Sequence, residues 1–116
     1  MQKQANDDQL KLIKLHLIIP IALTALEQDI KQIEPMSFGN IYMAYPRLWQ
    51  DRLTVLLSEV NIALRKQGIK VHLEEQSKEI GLRAEYWIGG YKYPFTMIPR
   101  YIRAEIEILI REIGEK

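Results

Sequence analysis

The sequence of 116 residues contains no cysteine. This absence excludes disulfide bonds, zinc sites with thiolate ligands and cysteine nucleophiles. Only two histidines are present, so a transition-metal site would also need carboxylate ligands. The motifs of phosphate-binding loops, serine hydrolases, zinc proteases and calcium loops are missing as well. We therefore expect no catalytic residues, no cofactor and no metal ion, and we do not expect an enzyme.

The sequence also lacks an excess of charge of either sign. It has 16 basic and 15 acidic side chains, which leaves a formal net charge of +1. Proteins that bind nucleic acid or anionic membranes through their overall charge carry a clear surplus of Lys and Arg. Only a local cluster of basic residues could support such binding here, and we predict that nucleic acid is not a partner.

No apolar run is long enough to predict a membrane span. The longest uncharged stretch of the N-terminal third, residues 15–26, is too short and contains a histidine and a proline. A secretory signal peptide is the alternative, with Ala25 as the small residue before cleavage. Asp7 and Asp8 argue against it, because they stand where an export signal needs positive charge. We predict a cytoplasmic protein without membrane contact, in keeping with the lack of cysteine.

The chain shows no repeat, linker or shift of composition, which predicts a single domain over residues 1–116 with frayed ends at 1–5 and 114–116. From about residue 8 to 34, apolar residues recur at steps of three and four, which predicts a helix that Asp7 or Asp8 caps. Pro20 should kink this helix or divide it in two. A strand over residues 15–19 is the alternative.

Residues 35–40 read as a loop, and a second helical stretch is predicted to follow it, most securely from Pro46 to Gln67. Its apolar arc is wide enough to predict a central helix that is covered on two sides. Three residues spaced by seven extend this arc sideways: Leu48, Val55 and Ile62. Arg52 and Glu59 fall inside the arc. Either their stems pack and their charged ends reach solvent, or they form an ion pair in a pocket or an interface, including one with a second copy.

From Ile69 the apolar residues alternate with polar ones, which predicts strands. The alternation breaks at residues 75–78 and resumes from residue 82 to 96 on both sides of Gly89-Gly90. Two adjacent glycines favour a tight hairpin turn with positive φ. The turn places three pairs opposite each other on one face: Ile88 with Tyr91, Tyr86 with Tyr93, and Ala84 with Phe95.

A last helix is predicted from about Pro99 to Ile113. The order of elements is therefore α-α-β-β-β-α. Because the strands are grouped and do not alternate with helices, we predict an α+β fold. Its sheet should be a three-stranded antiparallel meander that three helices cover on one face.

The hairpin is rich in aromatic residues. Six of the ten aromatic residues lie between Tyr86 and Tyr101, among several Lys and Arg. Aromatic rings beside cations are typical of proteins that bind single-stranded nucleic acid. The alternation argues against this interpretation, because Tyr86, Tyr91, Tyr93 and Phe95 fall on the core face. Only Trp87, beside Lys92, should face outward.

We expect a non-enzymatic interaction or regulatory protein that forms a homodimer and can have a further protein partner. Residues 10–23 and the second helix carry more apolar surface than one small sheet can cover. The candidate interaction surface consists of Leu48, Arg52, Val55, Glu59, Ile62, Trp87 and Lys92. Two alternatives stay open: a nucleic-acid-binding accessory protein using the hairpin of residues 82–96, and a small-molecule-binding module or enzyme with a pocket near Arg52 and Glu59.

Overall fold

The computed structural model describes residues 4–115. In chain order it contains α1 (Asp7–Ile33), the one-turn helix α2 (Gly39–Tyr42), α3 (Ala44–Lys66), β1 (Lys70–Ser77), β2 (Gly81–Ile88), β3 (Tyr91–Met97) and α4 (Pro99–Gly114). The strands form one antiparallel sheet in the order β1-β2-β3, and the helices pack on one face of it. The predicted α+β fold and order of elements are confirmed. The short helix α2 is an addition, since residues 35–40 were predicted to be loop.

The N-terminal helix is a single element. A capping box begins it: the Asn6 side chain accepts a hydrogen bond from the Gln9 amide at 2.8 Å, and the Gln9 side chain accepts one from the Asn6 amide at 3.0 Å. The prediction that Asp7 or Asp8 is the cap is therefore wrong. Pro20 does not divide the helix, and no strand forms at residues 15–19. Because Pro20 is exposed, the peptide group that loses its hydrogen-bond partner lies on the side near water.

The central helix of the fold is α1, and the prediction that the second helix is central is wrong. Seven residues of α1 are buried: Ile13, Leu17, Ile18, Ile19, Ala22, Leu26 and Ile30. The helix α3 buries a narrower face, formed by Pro46, Leu53, Val60 and Leu64. Two side-chain hydrogen bonds join α3 to α1 in antiparallel orientation, Gln9 with Gln67 and Gln50 with Glu27.

By length and composition alone, α1 could also cross a membrane. Its most apolar window of 18 residues has a mean hydropathy of 1.5. The core helix of a folded domain and an N-terminal signal sequence meet the same criteria of length and hydropathy as a membrane span.

The hairpin has the predicted register. Ile88 pairs with Tyr91, Tyr86 with Tyr93, and Ala84 with Phe95. Gly89 and Gly90 have φ values of 58° and 83°, as the tight turn requires. The rings of Tyr86 and Tyr93 stack in the core with centroids 5.3 Å apart. The prediction of a core position for Tyr91 is wrong, since this residue beside the turn is 47% exposed.

The first strand is longer than the sequence pattern predicts. A bulge between Leu73 and Glu75 shifts the pairing by one residue, and β1 then continues to Ser77 opposite Gly81. Residues 75–77 were predicted to be a break between strands, because the extra residue of a bulge interrupts the alternation. At the other edge of the sheet, β3 carries Pro94, which removes one backbone donor.

The sequence predicts frayed ends at residues 1–5 and 114–116. Residues 1–3 and 116 lie outside the described part of the chain. Ala5 is buried against the core, and α4 continues to Gly114.

Candidate interaction surface

One side of α3 is apolar and uncovered. Leu48, Val55 and Ile62 are 39%, 59% and 47% exposed, although each is a large hydrophobic residue. Residues seven apart lie on nearly the same side of a helix, so the three form one stripe along α3. We call Leu48, Val55 and Ile62 the α3 stripe. The buried residues of α3 lie on the opposite side, where α1 packs.

Arg52 and Glu59 border the α3 stripe but do not contact each other. The guanidinium of Arg52 donates a hydrogen bond of 2.5 Å to the carbonyl oxygen of Ile113 in α4. Its stem is therefore packed between two helices, while the residue as a whole is half-buried. Glu59 is exposed, and within residues 4–115 it takes part in no ion pair. Within residues 4–115, Arg52 and Glu59 of the same copy therefore form no ion pair with each other.

A pocket of about 320 Å³ opens beside the α3 stripe. It is lined by Asp51, Arg52, Val55, Leu56, Glu59 and Ile113. Its position, next to Arg52 and Glu59, is the one that the small-molecule alternative from the sequence requires. The cleft is shallow and open along α3, and its lining is mainly apolar. No group of three or more His, Asp or Glu side chains suited to a metal ion occurs in the described residues.

The exposed apolar surface continues beyond the N terminus of α3, which sequence analysis missed. Phe38, Ile41 and Tyr45 are 61%, 68% and 69% exposed. Only Met43 separates α2 from α3, and its backbone is helical, with φ of −75° and ψ of −15°. The signal for this extension was available in the sequence, because Ile41 precedes Leu48 by seven residues and Phe38 precedes Tyr45 by seven. The loop-like composition of residues 35–40 concealed it.

Trp87 and Lys92 lie elsewhere, on the sheet face that the helices leave uncovered. They are paired across β2 and β3, and Trp87 is more exposed than the buried Tyr86, as predicted. Lys92 lies 3.6 Å from Glu85. On the same face Arg83 contacts the carboxylates of Glu75 at 3.0 Å and Glu74 at 3.5 Å. Two cations of this face, Arg83 and Lys92, are therefore matched by carboxylates, whereas Lys70, which pairs with Trp87 across β1 and β2, takes part in no ion pair within residues 4–115.

The crowding of carboxylates on this face is visible in one pKa. A hydrogen bond with Glu85, reinforced by partial desolvation and by the negative charge of Glu85, raises the pKa of Glu74 above its usual range. Arg83 and His72 act in the opposite direction. Glu74 and Glu85 thus lie close together on the face that also carries Arg83 and Lys92.

Comparison with known proteins places the chain in a family. The sequence profile of the YhjD protein family matches residues 4–116. The chain belongs to the YhjD protein family. No curated protein and no solved structure shows significant similarity to it. The family description is this name alone and carries no activity.

In this member of the YhjD protein family, the seven predicted surface residues form two separate groups. Five lie together along α3: Leu48, Arg52, Val55, Glu59 and Ile62. The other two, Trp87 and Lys92, lie on the outer face of the sheet. Sequence spacing found the first group because one helix carries all five, and it could not show how far the hairpin lies from that helix.

Proposed function

We propose that this protein is a non-enzymatic interaction protein that acts as a homodimer, and that the α3 stripe is its interface. The observation that carries the proposal is the exposure of Leu48, Val55 and Ile62 on a helix whose other side is packed into the core. The outer side of a helix in a stable monomer is normally polar. Contiguous exposed apolar residues usually mark a surface that another molecule covers.

The rest of the structure supports α3 over the sheet as the surface for self-association. Open sheet edges are the common alternative, because their unpaired backbone groups can join a second sheet. Here a bulge beside Leu73 distorts the edge at β1, and Pro94 interrupts the edge at β3. Ion pairs occupy the outer sheet face. None of these three surfaces offers a flat apolar area.

One of the two reasons for predicting a dimer is wrong. Residues 10–23 were expected to have surplus apolar surface, but this segment is the middle of the fold. Ile13, Leu17, Ile18, Ile19 and Ala22 are buried, and the remaining apolar side chains of the segment pack against them. The dimer proposal therefore rests on α3 alone.

We extend the proposal to location and partners. A cytoplasmic location fits the absence of cysteine, and the balanced charge gives no reason to expect a membrane or nucleic-acid partner. A further protein partner could bind the same stripe or the outer sheet face, and membrane contact plays no part in the proposal. Fractionation of cells that express the tagged protein tests the location, and recovery in the membrane pellet after a salt wash would refute it.

The decisive experiment is a measurement of mass in solution by light scattering at micromolar concentration. We expect the wild-type protein to have the mass of a dimer, and Val55→Lys to have that of a monomer, because an ammonium group would be desolvated in the interface. Ile80→Lys is the matched control. Ile80 is 59% exposed, as Val55 is, but it lies in the turn between β1 and β2. A monomeric wild type, or equal effects of the two variants, would contradict the proposal.

The pocket beside Arg52 supports a second candidate function, the binding of a small molecule. Its volume of about 320 Å³ lies at the lower end of ligand sites, and Asp51, Arg52 and Glu59 supply charged groups of both signs. Thermal unfolding in the presence of a panel of small apolar and zwitterionic molecules tests this function. Stabilisation that disappears in Arg52→Met would favour it, and no stabilisation by any compound would oppose it.

A further inference from the structure

We propose that the two copies of the dimer pair their α2–α3 segments in antiparallel orientation, with Arg52 of each copy within one helical turn of Glu59 of the other. This inference rests on the proposed function and specifies the geometry of its interface. The occupant of the exposed surface is thus a second copy of this chain, related by a two-fold axis.

The exposed residues follow the spacing of a two-stranded coiled coil. Steps of three and four alternate without interruption through eight positions: Phe38, Ile41, Tyr45, Leu48, Arg52, Val55, Glu59 and Ile62. The average step of 3.5 residues keeps one seam of a helix against a partner helix. The six apolar members of this seam are between 39% and 69% exposed. We call these eight residues the heptad seam.

The two charged positions determine the orientation. In a parallel pair, Arg52 would meet Arg52 of the second copy and Glu59 would meet Glu59, which places like charges against each other in a desolvated seam. In an antiparallel pair whose axis passes between residues 52 and 55, Arg52 comes within one helical turn of Glu59 of the second copy. The two-fold axis makes this contact twice.

The contacts within one copy leave both groups able to make this contact. The Arg52 guanidinium has five N–H donors, and one of its terminal nitrogens serves the carbonyl oxygen of Ile113. Glu59 is exposed, and no cation of residues 4–115 lies within ion-pair distance of it. A second copy would supply the missing cation.

The apolar positions of α3 are compatible with the antiparallel pair. The N-terminal half of the heptad seam is wholly apolar, from Phe38 to Leu48, while the C-terminal half alternates apolar and charged positions. Antiparallel pairing places Tyr45 opposite Ile62 of the second copy and Arg52 opposite Val55. The pocket beside Val55 then lies close to the axis, where a side chain of the second copy can fill it.

Introduced cysteines can show the relative orientation of the two α3 helices by disulfide cross-linking, because the natural chain has no cysteine. Tyr45 and Ile62 are 17 positions apart, which is about 25 Å along a helix, whereas a disulfide needs Cα atoms within about 7 Å. In the antiparallel dimer, Tyr45→Cys alone should not cross-link under mild oxidation. An equimolar mixture of Tyr45→Cys and Ile62→Cys, one of them carrying a tag, should yield the mixed disulfide. Cross-linking of Tyr45→Cys to itself would overturn the antiparallel arrangement.

A charge substitution tests the ion pair itself. Glu59→Arg would place a second cation within one helical turn of Arg52 of the second copy, and we expect the dissociation constant of the dimer to rise about tenfold or more. Glu79→Arg, in the turn between β1 and β2, is the control and should leave the dissociation constant unchanged. Far-UV circular dichroism checks that both variants are folded.

The outcomes separate this inference from the proposed function. A wild-type dimer in which Glu59→Arg has no effect, or in which Tyr45→Cys cross-links to itself, would refute the antiparallel pairing but not the dimer. A monomeric wild type would refute both.

Discussion

The guanidinium of Arg52 in α3 donates a hydrogen bond of 2.5 Å to the carbonyl oxygen of Ile113 in the last turn of α4. Carbonyl groups at a helix C terminus have no partner within their own helix, and they form the negative end of the helix dipole. The Arg52 guanidinium donates a hydrogen bond to such a carbonyl group and is attracted by the negative end of the dipole. Arg52, which the sequence places within the apolar arc of α3, thus joins α3 to α4.

Replacement of Arg52 by Met should lower the free energy of unfolding by about 1–3 kcal/mol, because Met keeps the packed stem but loses a charged hydrogen bond. Urea unfolding of Arg52→Met in the Val55→Lys background removes any contribution of dimer dissociation. Arg103→Met is the control: the Arg103 side chain is 84% exposed and pairs with Glu107 one turn away, so its replacement should change stability by less than about 0.5 kcal/mol. Equal losses in the two variants would refute the role of Arg52.

The ion pair between Lys14 in α1 and Glu105 in α4, at 3.0 Å, predicts a defined pH dependence. The hydrogen bond from Lys14, together with one from Tyr101, holds the pKa of Glu105 below its ordinary value of 4.5, although partial desolvation opposes the shift. A lowered pKa in the folded state stabilises the protein above pH 4.5, and this contribution is lost as the pH falls through the folded-state pKa.

Glu105→Gln should therefore cost about 1 kcal/mol at neutral pH. The difference from wild type should shrink as the pH falls below 4.5. Urea unfolding at several pH values measures it, with Glu112→Gln, at an exposed position of the same helix, as the control. A difference between wild type and Glu105→Gln that stays constant with pH would show that the lost contribution is not electrostatic.

The turn at Gly89 and Gly90 allows a test of backbone conformation alone. A Cβ atom at either position would meet nothing within 4 Å, so no clash can contribute. Gly90→Val must place a β-branched residue at φ of 83°, and we expect a loss of about 1–2 kcal/mol or more. Gly89→Asn should be close to neutral, because Asn tolerates the first position of this turn. Thermal unfolding measures both, and equal stability of Gly90→Val and wild type would contradict the turn geometry.

We predict no tight binding of DNA or RNA oligonucleotides at physiological salt. Binding through phosphates needs several free cations on one surface, whereas Lys92 is paired with Glu85 and Arg83 with Glu74 and Glu75. Fluorescence anisotropy with labelled single strands is the measurement. Submicromolar affinity with a steep salt dependence, lost in both Trp87→Ala and Lys92→Ala, would assign the outer sheet face to nucleic acid.

Much of the fold could be predicted from the sequence, because the relevant signals are local. The Gly89-Gly90 pair selects a two-residue turn, and in a sheet with a side-chain period of two that turn determines which residues face each other. The predicted strand β1 was too short, because the bulge near Glu75 interrupts the side-chain period of two within the strand.

The candidate site could be predicted only in part. The seven-residue spacing of Leu48, Val55 and Ile62 placed these residues on one side of a helix. The spacing did not show whether that side would be covered, because the wide apolar arc of α3 fits both a central helix and a helix with an open interface. The extension through Phe38 and Ile41 was missed, since a composition typical of a loop concealed one helical turn.

The sequence by itself determined which side chains share a face and in what order the elements follow, because these depend on residues at most a few positions apart. Only the tertiary structure decided that α1 occupies the centre, that the α3 stripe is left uncovered and that Arg52 reaches Ile113, 61 positions away in the chain. These features depend on which surfaces meet when the chain closes. An amphipathic pattern states how much of a helix is apolar but not which neighbour covers it.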